Sequence, residues 1–447
     1  MAARQRVCVI GAGPSGLAAA RNCVRFGLDV VVFEKNDKVG GNWVFDDRTG
    51  HSSVYENTRL ISSKVLSGYE DFPMPRSYPA YPDHRQVQAY FEAYAGHFGV
   101  VEHVRFNHSV QHVGRNAAGT WDVSYVDGNA AEHQETYDVL MVANGHHWDP
   151  RHPEYEGRFT GVYLHSHAFK RVTDAWRGKN VLVIGAGNSG CDIAVEAAGV
   201  AATVCLSVRS PQWFFPKFIL GVPSDIIAAY TRWLPPRIRQ AGIAAALRLM
   251  QGPLRRYGLP ANTTPPLSQH PTLNSQVLDF LRDGRIQARP AIKRLLNDEV
   301  EFVDGRREVF DILCACTGFW TTFPFFDPSF LDFRHAEKVP LFRKMMHPNY
   351  RNLYFIGLFQ PIGCIWPLSE LQSRLACAEI VGAYIRPANL AHAIQEEIDN
   401  PHFRFVGGPR HAAEVDYFKL RAELGAELRK AGIEIGRPLL RHGQRAA

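Results

Sequence analysis

The stretch that decides the fold is Val7-Cys8-Val9-Ile10-Gly11-Ala12-Gly13-Pro14-Ser15-Gly16. A short apolar run leads into glycines spaced G-x-G-x-x-G, and a pattern of small helix-forming residues follows. This order predicts a buried strand, a tight turn and a helix start. The glycines would let the backbone approach a pyrophosphate, which then lies on the free N–H groups of the helix N-terminus. The stretch therefore predicts a dinucleotide site.

A second copy of the pattern runs from Val181 to Gly190, with Gly185, Gly187 and Gly190 as its glycines. The segments that close the two halves, 138–145 and 311–318, also match. The offsets are 185 − 11 = 174 for the first glycines and 318 − 145 = 173 for the last. A Val-Asp-Gly turn signal precedes each closing segment, at 126–128 and 303–305. The fold class predicted is α/β, with two Rossmann-like dinucleotide-binding domains.

The residue that ends the next strand distinguishes the two sites. In the first half it is Glu34, 34 − 11 = 23 residues past Gly11, where a carboxylate accepts hydrogen bonds from ribose hydroxyls, as in the adenosine of FAD. In the second half it is Arg209, 209 − 185 = 24 residues past Gly185, where a cation suits a ribose 2′-phosphate. The sequence predicts FAD on the first site and NADPH on the second.

Composition is that of a large enzyme without a nucleic-acid partner. The chain has 447 residues and a net charge of +6, with no long run of Lys or Arg. No apolar run reaches the length of a membrane span, and the tail 441–447 is polar, so no membrane anchor is expected. The most apolar stretch, 213–250, is interrupted by prolines and favours an irregular insertion, with an amphipathic helix over 237–251, rather than a membrane contact.

The eight cysteines and nineteen histidines indicate neither a disulfide framework nor a metal site. Most cysteines lie in apolar patterns and no Cys-x-x-Cys occurs, which is typical of buried thiols in a reducing cytoplasm. Cys314-x-Cys316 is not expected to be a redox pair. His146-His147 and His165-x-His167 lack the spacing of metal ligands and are expected to be loop or strand residues.

Phe159-Thr-Gly161-Val-Tyr-Leu-His165-Ser-His-Ala-Phe169 resembles the F-x-G-x-x-x-H-x-x-x-F/Y signature of flavin-containing monooxygenases, and it precedes the second fingerprint as it does in that family. Further segments are similar to family motifs from about residue 6 to about residue 424. The cofactor-binding residues that fingerprints and resemblance together imply are Gly11, Gly13, Pro14, Ser15, Gly16, Glu34, Lys35, Gly41, Asn42, Trp43, Ser62, Gly185, Gly187, Asn188, Ser189, Gly190, Asp192, Ser207, Arg209, Thr317, Gly318 and Gln360.

The chain departs from the family in the segment Arg59-Leu-Ile61-Ser62-Ser-Lys64. Family members usually carry an asparagine facing the flavin where this chain has Ile61, and an apolar side chain cannot donate that hydrogen bond. Asn57 is a weak substitute because its spacing does not match. This departure bears on the lifetime of the oxygenated flavin and on substrate type.

The resemblance implies an NADPH- and O2-dependent monooxygenase that oxygenates a soft nucleophile, an amine nitrogen or a thioether sulfur, through a C4a-hydroperoxyflavin. Three alternatives stay open: a Baeyer–Villiger ketone monooxygenase, a largely uncoupled NADPH oxidase and a non-catalytic NADPH sensor. The domains expected are 1–170 for the first part of the FAD domain, 171–309 for an inserted NADP domain, and 310–447 for the second part of the FAD domain with a C-terminal helical segment. A cytoplasmic protein is expected, compatible with a homodimer.

Overall fold

The computed structural model describes residues 4–46, 52–402 and 412–436. The polar tail at 441–447, on which the expectation of a missing anchor partly depended, lies outside these residues.

The strands and helices are numbered in chain order. The strands are β1 (Arg6–Ile10), β2 (Asp29–Phe33), β3 (Val104–Arg105), β4 (Ser109–Arg115), β5 (Trp121–Val126), β6 (Glu132–Tyr137), β7 (Val139–Val142), β8 (Asp149–Pro150), β9 (Glu156–Phe159), β10 (Val162–His165), β11 (Asn180–Ile184), β12 (Thr203–Ser207), β13 (Phe218–Ile219), β14 (Val222–Pro223), β15 (Gln287–Arg289), β16 (Ile292–Asn297), β17 (Glu299–Phe302), β18 (Arg307–Val309), β19 (Ile312–Ala315), β20 (Phe319–Trp320), β21 (Leu353–Phe355), β22 (Gln360–Ile362) and β23 (Glu414–Asp416). The α-helices are α1 (Pro14–Arg25), α2 (Lys64–Ser67), α3 (His84–His97), α4 (Asn188–Ala197), α5 (Ser224–Tyr230), α6 (Pro236–Gln251), α7 (Gln276–Arg282), α8 (Trp366–Ile380), α9 (Leu390–Asp399) and α10 (Tyr417–Lys430).

The chain divides into two compact units. The first comprises Met1–Val54, Thr58–Asp149 and Trp320–Ala447, and the second comprises Tyr55–Asn57 and Pro150–Phe319. One unit is therefore inserted into the sequence of the other.

The first unit is built on a parallel sheet with the strand order β21-β7-β1-β2-β3. Side chains of β1 alternate between two cores: Val7 and Val9 pack in one cluster, and Cys8 and Ile10 pack in another. A central parallel strand is covered on both faces, which is why the run is apolar throughout. The sheet also places the ends of β1, β2 and β7 at one edge, where the fingerprint turn lies.

The second unit repeats this arrangement in a parallel sheet ordered β10-β19-β11-β12-β15. β11 takes the place of β1, and its residues also alternate between two cores, with Val181 and Val183 in one and Leu182 and Ile184 in the other. β19 and β12 flank β11 as β7 and β2 flank β1. The predicted class of two Rossmann-like α/β domains is confirmed.

The unit boundaries differ from the predicted ones at 170 and 309. β10 precedes the second fingerprint in sequence but pairs with β19 in the second sheet, so residues before 171 also belong to the second unit. The long segment of this unit begins at Pro150. β19 itself pairs with β11, which extends the unit past 309 to Phe319. The motif 159–169 therefore belongs to the inserted unit. Sequence spacing did not reveal this, because the edge strand comes from before the repeat.

Local predictions outside the fingerprints agree with the structure. The turn signals at 126–128 and 303–305 join antiparallel pairs, β5 with β6 and β17 with β18. The predicted helix over 237–251 is α6. Within the described ranges, no helix has both the length and the apolar character that crossing a membrane requires.

Helix α1, which begins in the first fingerprint, is fixed by packing. Ala18, Ala19 and Ala20 are fully buried, and the small side chains allow close contact with α8. The Sγ atoms of Cys23 on α1 and Cys377 on α8 lie 3.8 Å apart. The position of the helix N-terminus is thus set by the core of the first unit.

Candidate nucleotide-binding sites

The first fingerprint forms a turn in which glycine is required twice. Gly11 has φ +100°, and its N–H donates to Phe33 O at 2.8 Å, so a side chain here would be strained. A Cβ on Gly11 would lie 2.8 Å from Ala143 O at the end of β7, and a Cβ on Gly16 would lie 1.8 Å from Gly11 O. These two glycines are needed for the turn to form at all.

Gly13 has a different role, since its own conformation does not require glycine. Its φ is −70°, and a Cβ would lie 3.6 Å from Gly41 Cα, an ordinary contact. It is the N-cap of α1 without a side-chain hydrogen bond, and Pro14, at the first helical position, has no N–H to satisfy. The helix N-terminus is therefore left to an external anion, and the bare Cα of Gly13 lets that anion approach. These residues fit a pyrophosphate.

Glu34 lies beside the fingerprint and is 5% exposed. Its Oε2 accepts from Ala12 N at 2.7 Å and its Oε1 from Asn36 N at 2.9 Å. Burial raises the pKa of this carboxyl. Each oxygen keeps a second lone pair, so the carboxylate fits a ribose hydroxyl. Burial lowers the pKa of the next residue, Lys35, whose Nζ lies 5.5 Å from the ring centroid of Trp148.

The turn at Gly41–Trp43 is a short 3-10 helix against the fingerprint. A Cβ on Gly41 would lie 2.9 Å from Gly13 Cα. Asn42 Oδ1 accepts from Ser53 N at 2.7 Å, and the Trp43 ring meets the Trp366 ring edge-on at 5.9 Å. In the same unit, Ser15 Oγ lies 2.9 Å from the Oγ of Ser369 on α8. The predicted residues of the first site are thus gathered around one turn.

Ile61 and Asn57 are placed differently. Ile61 is half-buried in the first unit, and the neighbouring Ser62 Oγ lies 2.8 Å from Ser67 Oγ. Asn57 is exposed and belongs to the second unit, where its side chain favours the charged form of Glu196 and so lowers the pKa of that carboxyl. Asn57 therefore lies in a different unit from Ile61, the position of the family asparagine.

The second fingerprint has nearly the same geometry as the first. Gly185 has φ +106°, and its N–H donates to Ser207 O at 3.0 Å. A Cβ on Gly185 would lie 2.7 Å from Cys316 O, and one on Gly190 would lie 1.9 Å from Gly185 O. Gly187 is the N-cap of α4, again without a side-chain hydrogen bond. The two fingerprints therefore match in their close backbone contacts as well as in sequence.

One polar face of α4 holds neighbouring segments of the second unit. Asn188 Oδ1 accepts from Leu273 N at 2.8 Å. One turn later, Asp192 accepts from Asn274 Nδ2 at 2.6 Å and from Tyr55 Oη at 2.5 Å. Burial raises the pKa of Asp192. The predicted cofactor residues Asn188 and Asp192 contact protein here, so we assign them a positioning role for the helix.

Glu196 continues this face by one further turn. Its Oε1 is buried without a hydrogen-bond partner among the described residues, and burial raises the pKa of the carboxyl to about 7, with further raising by Asp192 and Glu56. The sequence did not single out Glu196, because only the fold brings Glu56 near it, whereas Asp192 lies one turn earlier on the same helix.

Arg209 follows the carboxyl end of β12 and is exposed, so its guanidinium can reach a phosphate. The other predicted residues at this sheet edge are less accessible to a bound nucleotide. Ser207 is buried and its Oγ donates to Pro290 O at 2.8 Å, while Thr317 Oγ1 donates to Arg151 O at 2.5 Å. Gly318 has φ +84°, and Ser189 is half-buried in the first turn of α4. Arg209 is the predicted residue here best placed to select the nucleotide.

One residue of the first unit was not predicted to take part. His146 follows β7, and its Nε2 lies 3.3 Å from Gln360 Oε1. Burial lowers the pKa of His146, and its Nδ1 is buried without a partner within the described ranges. A neutral imidazole with an unused nitrogen near the fingerprint edge fits a polar group of a bound cofactor. The pair is 214 residues apart in sequence, so no local signal could have found it.

A cavity of about 300 Å³ lies elsewhere in the second unit, lined by residues that include Trp213, Phe214, Arg248 and Arg255. No predicted cofactor residue lines it. The described part of the chain contains no group of three or more His, Cys, Asp or Glu side chains arranged to hold a metal ion.

Comparison with known proteins decides the family. The model of the family described as "Flavin-binding monooxygenase-like" matches residues 4–433. The chain belongs to this family. It is 32% identical to rat (Rattus norvegicus) flavin-containing monooxygenase 5 over 446 residues, covering 94% of this chain and 82% of that protein. It is 33% identical over 422 residues to dimethylaniline monooxygenase (N-oxide-forming) 2 of the same species, covering 88% and 78%.

Solved structures share the fold of this flavin-binding monooxygenase. S-allyl-L-cysteine S-oxygenase from Allium sativum superposes with a TM-score of 0.72 at 21% identity, covering 97% of this chain and 90% of that one. Cyclohexanone monooxygenase from Rhodococcus sp. Phi1, solved with NADP+, gives 0.72 at 17%, covering 96% and 98%. The family assignment confirms the predicted enzyme class, a flavin monooxygenase with FAD and NADPH as cofactors.

Proposed function

We propose that the protein oxygenates a soft nucleophile, an amine nitrogen or a thioether sulfur, with FAD on the first fingerprint and NADPH on the second. The observation that carries the cofactor assignment is the pair of matching glycine turns with opposite charges at the next strand end, Glu34 in one and Arg209 in the other. The names of relatives support the substrate class, since one forms N-oxides and a protein of the same fold oxygenates sulfur.

Bound FAD supplies hydride acceptance from NADPH and the activation of O2 for transfer of one oxygen atom. The chain supplies position. Gly11 and Gly16 shape the turn, Gly13 admits the pyrophosphate to the N-terminus of α1, and Glu34 accepts from a ribose hydroxyl. Because α1 is packed against α8, the glycine turn and the N-terminus of α1 keep their positions without the cofactor.

In the second unit, Gly185, Gly187 and Gly190 do the same for NADPH, and Arg209 binds its 2′-phosphate. Asn188 and Asp192 fix the direction of α4 through segment 271–274 and Tyr55. The helix N-terminus is then aimed before the nucleotide arrives, which lowers the ordering cost of binding.

The proposed reaction does not require the side chains near the first fingerprint to transfer protons. His146 is neutral at pH 7 because burial lowers its pKa. Its Nε2 holds its proton against Gln360 Oε1, which leaves Nδ1 as an acceptor. We assign His146 to orienting a polar group rather than to general acid catalysis.

A second candidate function is a largely uncoupled NADPH oxidase, favoured by Ile61. A half-buried apolar side chain offers no hydrogen bond where the family usually has an amide. Ketone oxygenation is a weaker alternative: the fold is shared with a cyclohexanone monooxygenase, but Baeyer–Villiger signatures usually end in Trp, whereas Phe169-Lys170 closes the motif here.

The test supplies the holoenzyme with NADPH and 18O2 together with a thioether, a tertiary amine or a cyclic ketone. Mass spectrometry of the products and a peroxide assay are run on the same samples. We expect a sulfoxide or N-oxide carrying one 18O. A lactone as main product would overturn the nucleophile assignment, and one peroxide released per NADPH with every substrate would establish the oxidase.

A cytoplasmic location belongs to the same proposal. All eight cysteines are free, and all but Cys316 are buried, as in proteins kept in a reducing compartment. Both fingerprints lie on one chain, so a homodimer would carry two sets, and light scattering measures whether it forms.

A further inference from the structure

The cavity of the second unit has a mostly apolar wall. Its volume of about 300 Å³ is at the lower end of the range of small-molecule sites, roughly 300–1,000 Å³. Trp213, Phe214, Leu247 and Leu254 line it, and each is at most 9% exposed. The Trp213 ring is held in place, because its Nε1 donates to Thr264 O at 2.9 Å. The wall therefore offers a preformed apolar surface to a flat ligand of one or two rings.

Two cations also line this cavity. Arg248 lies in the last turn of α6 and Arg255 in the short 3-10 helix Leu254–Tyr257, and both side chains are exposed. Neither guanidinium forms an ion pair within the described ranges. Segment 211–278 contains the whole described lining and has a single acid, Asp225, which does not line the cavity. Arginines without an acidic partner favour a carboxylate ligand, because a guanidinium can donate two parallel hydrogen bonds to it.

Hydrogen bonds join the cavity wall to the second fingerprint. Phe215 N donates to Thr272 O at 2.7 Å, and Thr272 N donates to Trp213 O at 3.3 Å. The Thr272 hydroxyl in turn donates to Ala186 O at 3.1 Å, inside the fingerprint turn. A ligand that restricts residues 213–215 therefore also restricts the turn that leads into α4.

We infer that this cavity binds a small aromatic carboxylate and that this ligand strengthens the binding of NADPH. The ring packs on Trp213 and Phe214, and the carboxylate accepts from Arg248 and Arg255. With the turn already restricted, less conformational freedom remains to be lost when the nucleotide binds, which gives positive cooperativity. The effect on NADPH rests on the proposed placement of the nucleotide on the second fingerprint, whereas the carboxylate site itself does not.

Other occupants fit the cavity less well. An inorganic anion leaves the apolar wall in contact with water, and a neutral aromatic molecule leaves both arginines without a partner. An organic cation is repelled by Arg248 and Arg255. NADPH is placed elsewhere, because no predicted cofactor residue lines the cavity. Segment 213–250, expected to be an irregular insertion, thus supplies part of a defined site.

The first experiment measures binding to the cavity by titration calorimetry of the holoenzyme without nucleotide. The probe is 2-naphthoate, and its neutral analogue is naphthalene-2-methanol. We expect one 2-naphthoate per chain, and an affinity for the analogue that is lower by roughly tenfold or more, because the charge-assisted hydrogen bonds are lost.

Arg248→Gln/Arg255→Gln should weaken 2-naphthoate binding by roughly tenfold or more, since both donors are replaced by a neutral amide. The matched control is Arg237→Gln/Arg256→Gln, which changes the net charge equally at two exposed arginines outside the lining and should change the affinity less than about twofold. Ala261→Phe, which fills the cavity from its wall, should abolish binding while both arginines remain. A melting curve of each variant verifies that it is folded. Absence of binding to the unmutated protein, or equal loss in the control, overturns the site.

The second experiment measures the Kd of NADP+, which does not reduce the flavin, with and without saturating 2-naphthoate. We expect the Kd to fall about fivefold, the lower end of typical coupling between two sites. Thr272→Val lacks the hydroxyl that donates to Ala186 O, so it should still bind 2-naphthoate but show a smaller effect on NADP+. An unchanged Kd for NADP+ refutes the linkage, and a Kd that rises in proportion to 2-naphthoate shows competition at the nucleotide site and overturns the inference. Arg209→Ala distinguishes the two proposals: unchanged NADP+ affinity in this variant contradicts the placement of the nucleotide and leaves the 2-naphthoate result standing.

Discussion

Replacing Gly13 with alanine should separate FAD binding from folding. In the protein alone, a Cβ at this position would lie 3.6 Å from Gly41 Cα, and φ is −70°, so alanine is accommodated. Alanine is a poorer N-cap than glycine by less than about 1 kcal/mol, and it restricts the unfolded chain by a similar amount in the opposite sense. The melting temperature of the flavin-free protein should therefore change by less than about 4 °C.

With FAD present, the same methyl group occupies the space that the pyrophosphate needs. Forcing a methyl into a filled contact costs roughly 1–3 kcal/mol, which raises the Kd for FAD about 5- to 150-fold. The assay removes the flavin, titrates FAD back by fluorescence quenching and records the melting curve of each flavin-free protein.

Gly16→Ala is the control for a simple folding defect. Its Cβ would lie 1.8 Å from Gly11 O, so it should lower the melting temperature with or without FAD. The reasoning is refuted if Gly13→Ala binds FAD as tightly as the unmutated protein, or if its flavin-free form is unfolded.

Three further outcomes are expected. Arg209→Ala should reduce the NADPH/NADH ratio of kcat/KM roughly tenfold or more, because a charged phosphate pair is lost; equal use of both nucleotides by the unmutated protein would contradict this. Ile61→Asn should lower the peroxide released per NADPH, whereas the apolar control Ile61→Val should not, and an unchanged yield would make Ile61 a packing residue. Glu196→Gln should raise the melting temperature at pH 8 and have little effect at pH 4, with exposed Glu102→Gln as a control without this trend.

The sign of the Glu196 effect follows from proton binding. The folded-state pKa is about 7, against 4.5 as the reference value, so the folded protein binds the proton more tightly than the unfolded chain does. Ionisation therefore costs stability increasingly between pH 4.5 and 7, and the cost persists above that range. Glutamine removes the cost, so an equal gain at pH 4 would show that the carboxyl is not the cause.

The parts of the fold that have a local sequence signal were predictable. Gly11 and Gly185 lie in turns that only glycine adopts, and the closing strands are continuous apolar runs, so pattern and structure coincide. Edge strands were less predictable. β10 joins the second sheet through pairing with β19, about 150 residues later in the chain, and only tertiary packing specifies this choice.

The candidate sites divide in the same way. The positions of Glu34 and Arg209, one and two residues past the ends of β2 and β12, follow from register, because a parallel strand delivers the residues that follow it to the sheet edge where the turn lies. The environment of each side chain does not follow from register. Asp192 is held by Tyr55 and Asn274, 137 and 82 residues away, and no spacing rule anticipates such partners.

The insertion of one unit within another delays completion of the first sheet during synthesis on the ribosome. β7 pairs with β21, yet Val142 and Leu353 are separated by 353 − 142 = 211 residues. At roughly 5–20 residues per second, the nascent chain exposes one open edge of β7 for about 10–40 s before its partner is made. The inserted unit is nearly continuous in sequence and can fold during that interval. Until β21 emerges, the first unit carries an apolar strand with one unpaired edge, and such an edge is open to pairing with another chain.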